Sequence, residues 1–172
     1  MAMPRTLKMM NVFINSVSYL GVVTSLTLPK LTRKLEMYRG AGMSGAAPID
    51  FGLDDDALSM ELSLGGFPDE AIWTMYGAVG TGEALRYAGS YQRDDTGEIV
   101  PVEVVTRFKM KEMDTGESKQ GEKAESKLPV ICTYFKLTIN GKVVIEIDVL
   151  NGIEKVNGVD RLAEHRKNIG LI

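Results

Sequence analysis

Few side chains in this 172-residue chain are of the types that do chemistry, and they are scattered. There is one cysteine, Cys132, and one histidine, His165. A thiol nucleophile needs a base to draw off its proton, so these two are the obvious pair to test. Cys132 lies in Ile131-Cys132-Thr133, inside an alternating apolar run where a small buried hydrophobe is expected. His165 belongs to a short charged stretch near the end of the sequence. A mid-strand thiol and a charged terminal helix are poor starting points for a catalytic pair. One cysteine also leaves no intrachain disulfide.

The remaining constellations fare no better. Asp54-Asp55-Asp56 offers oxygen ligands for a hard cation, but consecutive carboxylates do not match the alternating ligand positions of a calcium loop. A solvated turn or a charged contact surface explains it more simply. Asp94-Asp95-Thr96-Gly97-Glu98 is accounted for by hairpin-turn chemistry. Gly77-Ala78-Val79-Gly80-Thr81-Gly82 looks like a phosphate-binding loop, yet it follows a helix signature and lacks the Lys-Ser/Thr pair. It reads as a helix stop and a loop. Trp73, beside an apolar helical stripe, reads as core. The expectation is therefore no catalytic residue, no metal site and no cofactor.

The elements that would position any site are mostly strands. At 57–64, Leu58, Met60, Leu62 and Leu64 point one way, and Ser59, Glu61 and Ser63 the other. At 99–113, Val100, Val102, Val104, Phe108 and Met110 oppose Glu103, Arg107, Lys109 and Lys111. A run at 124–139 ends at Asn140-Gly141, which supplies the positive φ angles of a tight hairpin turn before a return strand at 142–150. Residues 18–28 and 30–39 read as strands broken at Pro29, and 86–92 as a further strand. One internal helix is predicted from Pro68-Asp69-Glu70 to Gly80, with Ile72, Met75, Tyr76 and Val79 on its stripe. Val159, Leu162, Ala163 and Arg166 suggest a short terminal helix. The sum is a mainly β, single domain over 1–172: a β-sandwich or partly open barrel with one packed helix.

Composition agrees. Hydrophobic residues make up 44% and charged residues 25%, as in a soluble globular protein. No run approaches the ~18 apolar residues of a membrane span, and residues 1–10 lack the apolar stretch of a signal peptide. A formal net charge of −3 argues against a protein that grips nucleic acid through a basic surface.

At residues 26–45, Leu-Thr-Leu-Pro-Lys-Leu-Thr-Arg-Lys-Leu-Glu-Met-Tyr-Arg-Gly-Ala-Gly-Met-Ser-Gly, the chain resembles the major tail tube protein of contractile-tailed bacteriophages, a family related to the tube proteins of R-type tailocins. The likeness continues through residues 4–13, Leu64-Gly65-Gly66-Phe67, Ala88-Gly89-Ser90-Tyr91, Glu146-Ile147-Asp148 and Val156-Asn157-Gly158-Val159-Asp160. It runs in order and spacing along nearly the whole chain.

The resemblance implies a β-barrel-like subunit that forms hexameric rings stacked into a hollow tube, with no catalytic residue and no cofactor. It implies as partners further copies of the chain, the tail sheath, tape measure, baseplate and tail terminator proteins, and phage DNA passing non-specifically through the lumen, without membrane insertion by this chain. The subunit would be assembled in the bacterial cytoplasm and reside in the virion; phage, prophage and tailocin origins stay open. With four strands from each of six subunits, 24 strands tilted at ~40° enclose a backbone diameter of ~48 Å, wide enough for a DNA duplex inside the side chains. Six copies would carry a charge of about −18, a sign that keeps DNA from adhering.

Within that frame Ser59, Glu61 and Ser63 are candidates to line the lumen, against the plainer reading of a solvated sheet face. Residues 40–56 form an extended loop excursion whose Gly40, Gly42, Met43, Gly45, Asp54, Asp55 and Asp56 are candidates for ring-to-ring contacts, with the N-terminal arm at 2–12 as a second. The competing reading of the whole chain is a monomeric β-sandwich ligand-binding module, for instance for carbohydrate. That would call for an aromatic pocket, and aromatic content is only 7%.

Overall fold

The computed structural model describes residues 1–80 and 82–171; Thr81, in the glycine-rich stretch, and Ile172 lie outside the described residues. In chain order the elements are β1 (Arg5–Ile14), β2 (Val17–Ser18), β3 (Val23–Thr27), β4 (Arg33–Tyr38), β5 (Ala47–Leu53), β6 (Ser59–Gly65), α1 (Glu70–Trp73), β7 (Glu83–Arg93), β8 (Ile99–Met110), β9 (Glu125–Ile139), β10 (Lys142–Asp148), β11 (Ile153–Val156), β12 (Val159–Asp160) and α2 (Ala163–Asn168). The main sheet is antiparallel in the order β12-β11-β10-β9-β8-β7-β1-β2, with β6 and then β3 branching from β9. It does not close on itself.

The branch exists because β9 is 15 residues long and changes partner midway. On one edge Glu125 to Ile131 pair with β6, and from Tyr134 to Ile139 that edge pairs with β10. Its other edge carries β8 from Val130 onward. The apolar sides of both branches meet in one core, where Leu58, Met60, Leu62 and Leu64 join Val12, Leu85, Tyr87, Val104, Phe108 and Phe135. Leu64 is fully buried; a leucine so placed contributes roughly 1.5–3 kcal/mol over an exposed one. The Asn140-Gly141 turn has φ of 51° and 79°, the left-handed pair the tight hairpin needs.

Four expectations need correction. The internal helix is one turn long: Asp69 Oδ1 caps the Ile72 N–H at 3.2 Å, but the Thr74 hydroxyl bonds back to Ala71 O at 2.7 Å, and Gly77 turns left-handed at φ 69°. Ile72 and Met75 are buried, while Tyr76 and Val79, assigned to the same stripe, are exposed. Trp73 is 38% exposed and not a core residue; its indole N–H donates to Pro68 O at 3.2 Å. The 40–56 excursion is half strand, since Ala47–Leu53 pairs with β4. Finally, the N-terminal arm from Arg5 onward is a main-sheet strand paired with β7.

Candidate functional site

β4 and β5 stand apart from the main sheet as a ribbon of their own. Leu35 faces Asp50, Glu36 faces Ile49, Met37 faces Pro48 and Tyr38 faces Ala47. Alternation therefore sets Leu35, Met37 and Pro48 on one side, and Tyr38, Ile49 and Phe51 on the other. Both sides are apolar and both are open to solvent: Met37 is 66% exposed and Phe51 60%. A two-stranded ribbon is marginal by itself, and monomeric proteins rarely expose an apolar surface this extended.

The ribbon's base is fixed by charge. Arg33 Nη1 lies 2.5 Å from Glu154 Oε1 on β11, and Arg33 Nε lies 2.9 Å from Asp50 Oδ2 on β5. Glu154 is only 8% exposed, so the guanidinium is its compensation for lost water. The hydrogen bond from Arg33, aided by the Gly52 N–H, holds the Asp50 carboxyl below the usual carboxylate range. The Asp54 N–H closes the base onto Thr32 O at 2.9 Å. Between this base and the C-terminal region runs an open cavity of about 570 Å³, lined in part by Phe51, Ile147, Leu162 and His165.

The seven residues picked out in the 40–56 stretch divide into two groups. Gly40, Gly42, Met43 and Gly45 make the ribbon's tip, where the Met43 N–H bonds Gly40 O at 3.2 Å and Gly42 takes φ 85°. Asp54, Asp55 and Asp56 follow β5 at the ribbon's base, in a turn closed by the Ala57 N–H on Asp54 O at 3.0 Å. On β6, Ser59 is exposed and opposite Ile131, and Glu61 is half-buried between Thr27 and Pro129. Ser63 is 5% exposed between Ser25 and Lys127, which leaves Ser59 and Glu61 as the accessible members of that trio.

Sequence reasoning passed over a larger polar wall. Arg86, Val105, Lys136, Glu146 and Lys155 stand in register across β7 to β11, on the side away from the core, with Glu146 flanked by Lys136 and Lys155. Arg86 also pairs with Glu103 at 3.2 Å and stacks over Phe13 at 5.2 Å. The side of the 99–113 run that carries Glu103 and Arg107 was the available signal. Two sheet edges are open as well. β1 meets β2 at Phe13 and Ile14, and the Tyr19 N–H bonds Val12 O, so its edge has no partner strand over residues 5–11, and β3 pairs with β6 alone.

The side chains tested for chemistry do not converge. Cys132 is buried in the core and burial pushes its thiol up to about 11, while His165 is exposed on α2. Among the described residues no group of three His, Cys, Asp or Glu side chains could hold a metal ion.

Comparison with known proteins gives one consistent picture. The family described as phage tail tube protein FII matches residues 4–170. The tail tube protein of Escherichia phage P2 is 69% identical over 172 residues, covering 99% of this chain and 100% of that protein. The major tail tube protein of Serratia phage KSP20 is 37% identical over 158 residues, covering 92% of this chain and 91% of its own length. Among solved structures, a chain of the anti-feeding prophage baseplate, six-fold symmetrised, superposes with a TM-score of 0.53 at 10% identity, over 75% of this chain and 90% of that one. At that identity the likeness concerns the fold alone.

Proposed function

This chain belongs to the phage tail tube protein FII family, and from that premise we propose that six copies close into a ring and that rings stack into the hollow inner tube of a contractile tail. The ribbon is the observation that carries the reading, because a solitary subunit has nothing to cover two apolar faces. Its tip, Gly40 to Gly45, would reach the next ring, and the small residues there permit close backbone approach. The open edges of β1 and β3 supply unpaired backbone groups that a neighbouring subunit would satisfy, as sheet edges in assemblies do. In the tube, Ser59 and Glu61 would face the bore, and the net charge of −3 per subunit would let DNA slide without adhering. Sheath, tape measure, baseplate and terminator proteins are the partners such a tube requires, and the tail of the virion is its place. The role is assembly and conduit, with no chemical step.

Purified protein concentrated and viewed by negative-stain microscopy should show hollow rods or six-fold rings. A solution that stays monomeric at every concentration, with or without a preformed baseplate as nucleus, would refute the proposal. A reconstruction of the rods with Glu61 facing away from the bore would remove the lumen assignment while leaving the tube intact.

A further inference from the structure

A second exposed apolar surface lies on the body, around α1. Phe67 is 75% exposed, Tyr76 65% and Val79 101%. Phe67 and Trp73 stack with ring centroids 5.6 Å apart. Beside them a shallow groove of about 350 Å³ is lined by Trp73, Tyr76, Lys111, Glu112 and Met113. No core packing explains this cluster: four large side chains face water at the end of a one-turn helix. Aromatic residues grouped at the surface with an adjoining groove are the usual anchors of a protein interface.

We propose that this aromatic patch receives the β4–β5 ribbon of a neighbouring copy, an inference that rests on the tube reading above. A chain that assembles head to tail needs two different surfaces that fit each other, and the isolated subunit exposes two such apolar surfaces. Their shapes correspond. The ribbon presents protruding Tyr38 and Phe51 on one side, and the patch presents a groove between Trp73 and Met113. Their charges correspond as well. With Arg33 committed to Asp50 and Glu154, the exposed charges of the ribbon's first strand and tip are Lys34 and Arg39 against Glu36. The patch is rimmed by Asp69, Glu70 and Glu112 against Lys111. Opposite net charge at the rim sets register and partner choice, and the apolar centre supplies the affinity. Since the ribbon is apolar on two sides, this contact would use one and leave the other for a further neighbour.

Two measurements test the pairing. Hydroxyl-radical footprinting of wild-type rods against unassembled subunits should show loss of oxidation at Tyr38 and Phe51 and equally at Phe67 and Tyr76. The double variant Tyr38→Cys, Tyr76→Cys, oxidised after assembly, should yield a ladder of covalent multimers on a non-reducing gel; Phe51→Cys with Val79→Cys, on the same side of the ribbon, serves as an independent pair. Rods in which Phe67 and Tyr76 stay as reactive as in free subunits overturn the inference. So do rods in which the patch is protected but neither pair cross-links, because something other than the ribbon then covers it. Failure of the wild type to form rods defeats the tube reading itself, and this inference with it.

Discussion

Arg33 and Glu154 are 121 residues apart in sequence, and the guanidinium of one lies 2.5 Å from the carboxylate of the other. This bond is the joint between the ribbon and the body, since Arg33 opens β4 and Glu154 sits inside the main sheet. A free subunit would otherwise hold the ribbon mainly by its connections to β3 and β6. Replacing Arg33 by Met should strand a buried carboxylate without its partner. The expected loss is roughly 1–3 kcal/mol, or about 2–4 °C of melting temperature per kcal/mol at this size. Glu154→Gln should cost less, because the amide oxygen still accepts from Arg33 and no charge is stranded. Differential scanning calorimetry of the three unassembled proteins decides the order.

A pH titration of stability should reveal a second clasp. Asp160 Oδ2 lies 2.5 Å from Arg166 Nη2, and the Arg166 hydrogen bond holds the Asp160 carboxyl below its usual range. Arg33 and Arg93 do the same for Asp50 and Asp95. On acidification the unfolded chain takes up protons at these positions before the folded one does. The stabilisation is therefore complete above the ordinary carboxylate range, about pH 4, and is lost as pH falls through the lowered values. Melting temperature should decline from neutral pH into acid. Asp160→Asn should flatten that decline and lower the value at neutral pH. An unchanged slope in the variant would show that Asp160 does not contribute.

How much of this was legible in advance depended on locality. β6, β8 and the β9–β10 hairpin were readable because alternation and Asn-Gly are written in consecutive residues. β1 was missed as a strand because its register shifts between Leu7 and Met9, which breaks the alternation. β5, Ala-Pro-Ile-Asp-Phe-Gly-Leu, contains Pro48 and Gly52 and has little strand propensity; its pairing with β4 makes it a strand. The helix was overcalled since apolar spacing at Tyr76 and Val79 is identical whether a stripe is buried or is a surface for another molecule. The tip glycines and the acidic triplet looked like one site in sequence, and only the ribbon's length separates them. Glu154's dependence on Arg33 left no local trace.

Cys132 offers a simple check on core integrity. Its thiol is 3% exposed and burial pushes it up to about 11. Little thiolate exists at neutral pH, and a bulky disulfide reagent has no path to it. The native protein should remain unlabelled by such a reagent at neutral pH, and should react stoichiometrically once unfolded in guanidinium. Rapid labelling of the native subunit would mean that β9 opens locally far more easily than a central strand should.

Two glycines with left-handed backbones should respond unequally to alanine. Gly42, at the ribbon tip, has φ 85° and nothing within 4 Å of where a Cβ would stand. Gly82, just before β7, has φ 107°, and an added Cβ would come within 2.7 Å of Phe108 O. Gly42→Ala meets only the backbone penalty, about 1 kcal/mol, confined to a ribbon that the fold of the body does not need. Gly82→Ala adds a clash with a main-chain carbonyl in the centre of the sheet, which cannot move without disturbing the β7–β8 pairing, and should cost about 3 kcal/mol or more. Thermal unfolding of the free subunits should thus separate the variants clearly, with Gly42→Ala close to the parent. Rod formation should separate them differently. If the tip touches the next ring, Gly42→Ala will slow or abolish assembly despite its intact fold, whereas parent-like assembly kinetics would place the ring contact elsewhere.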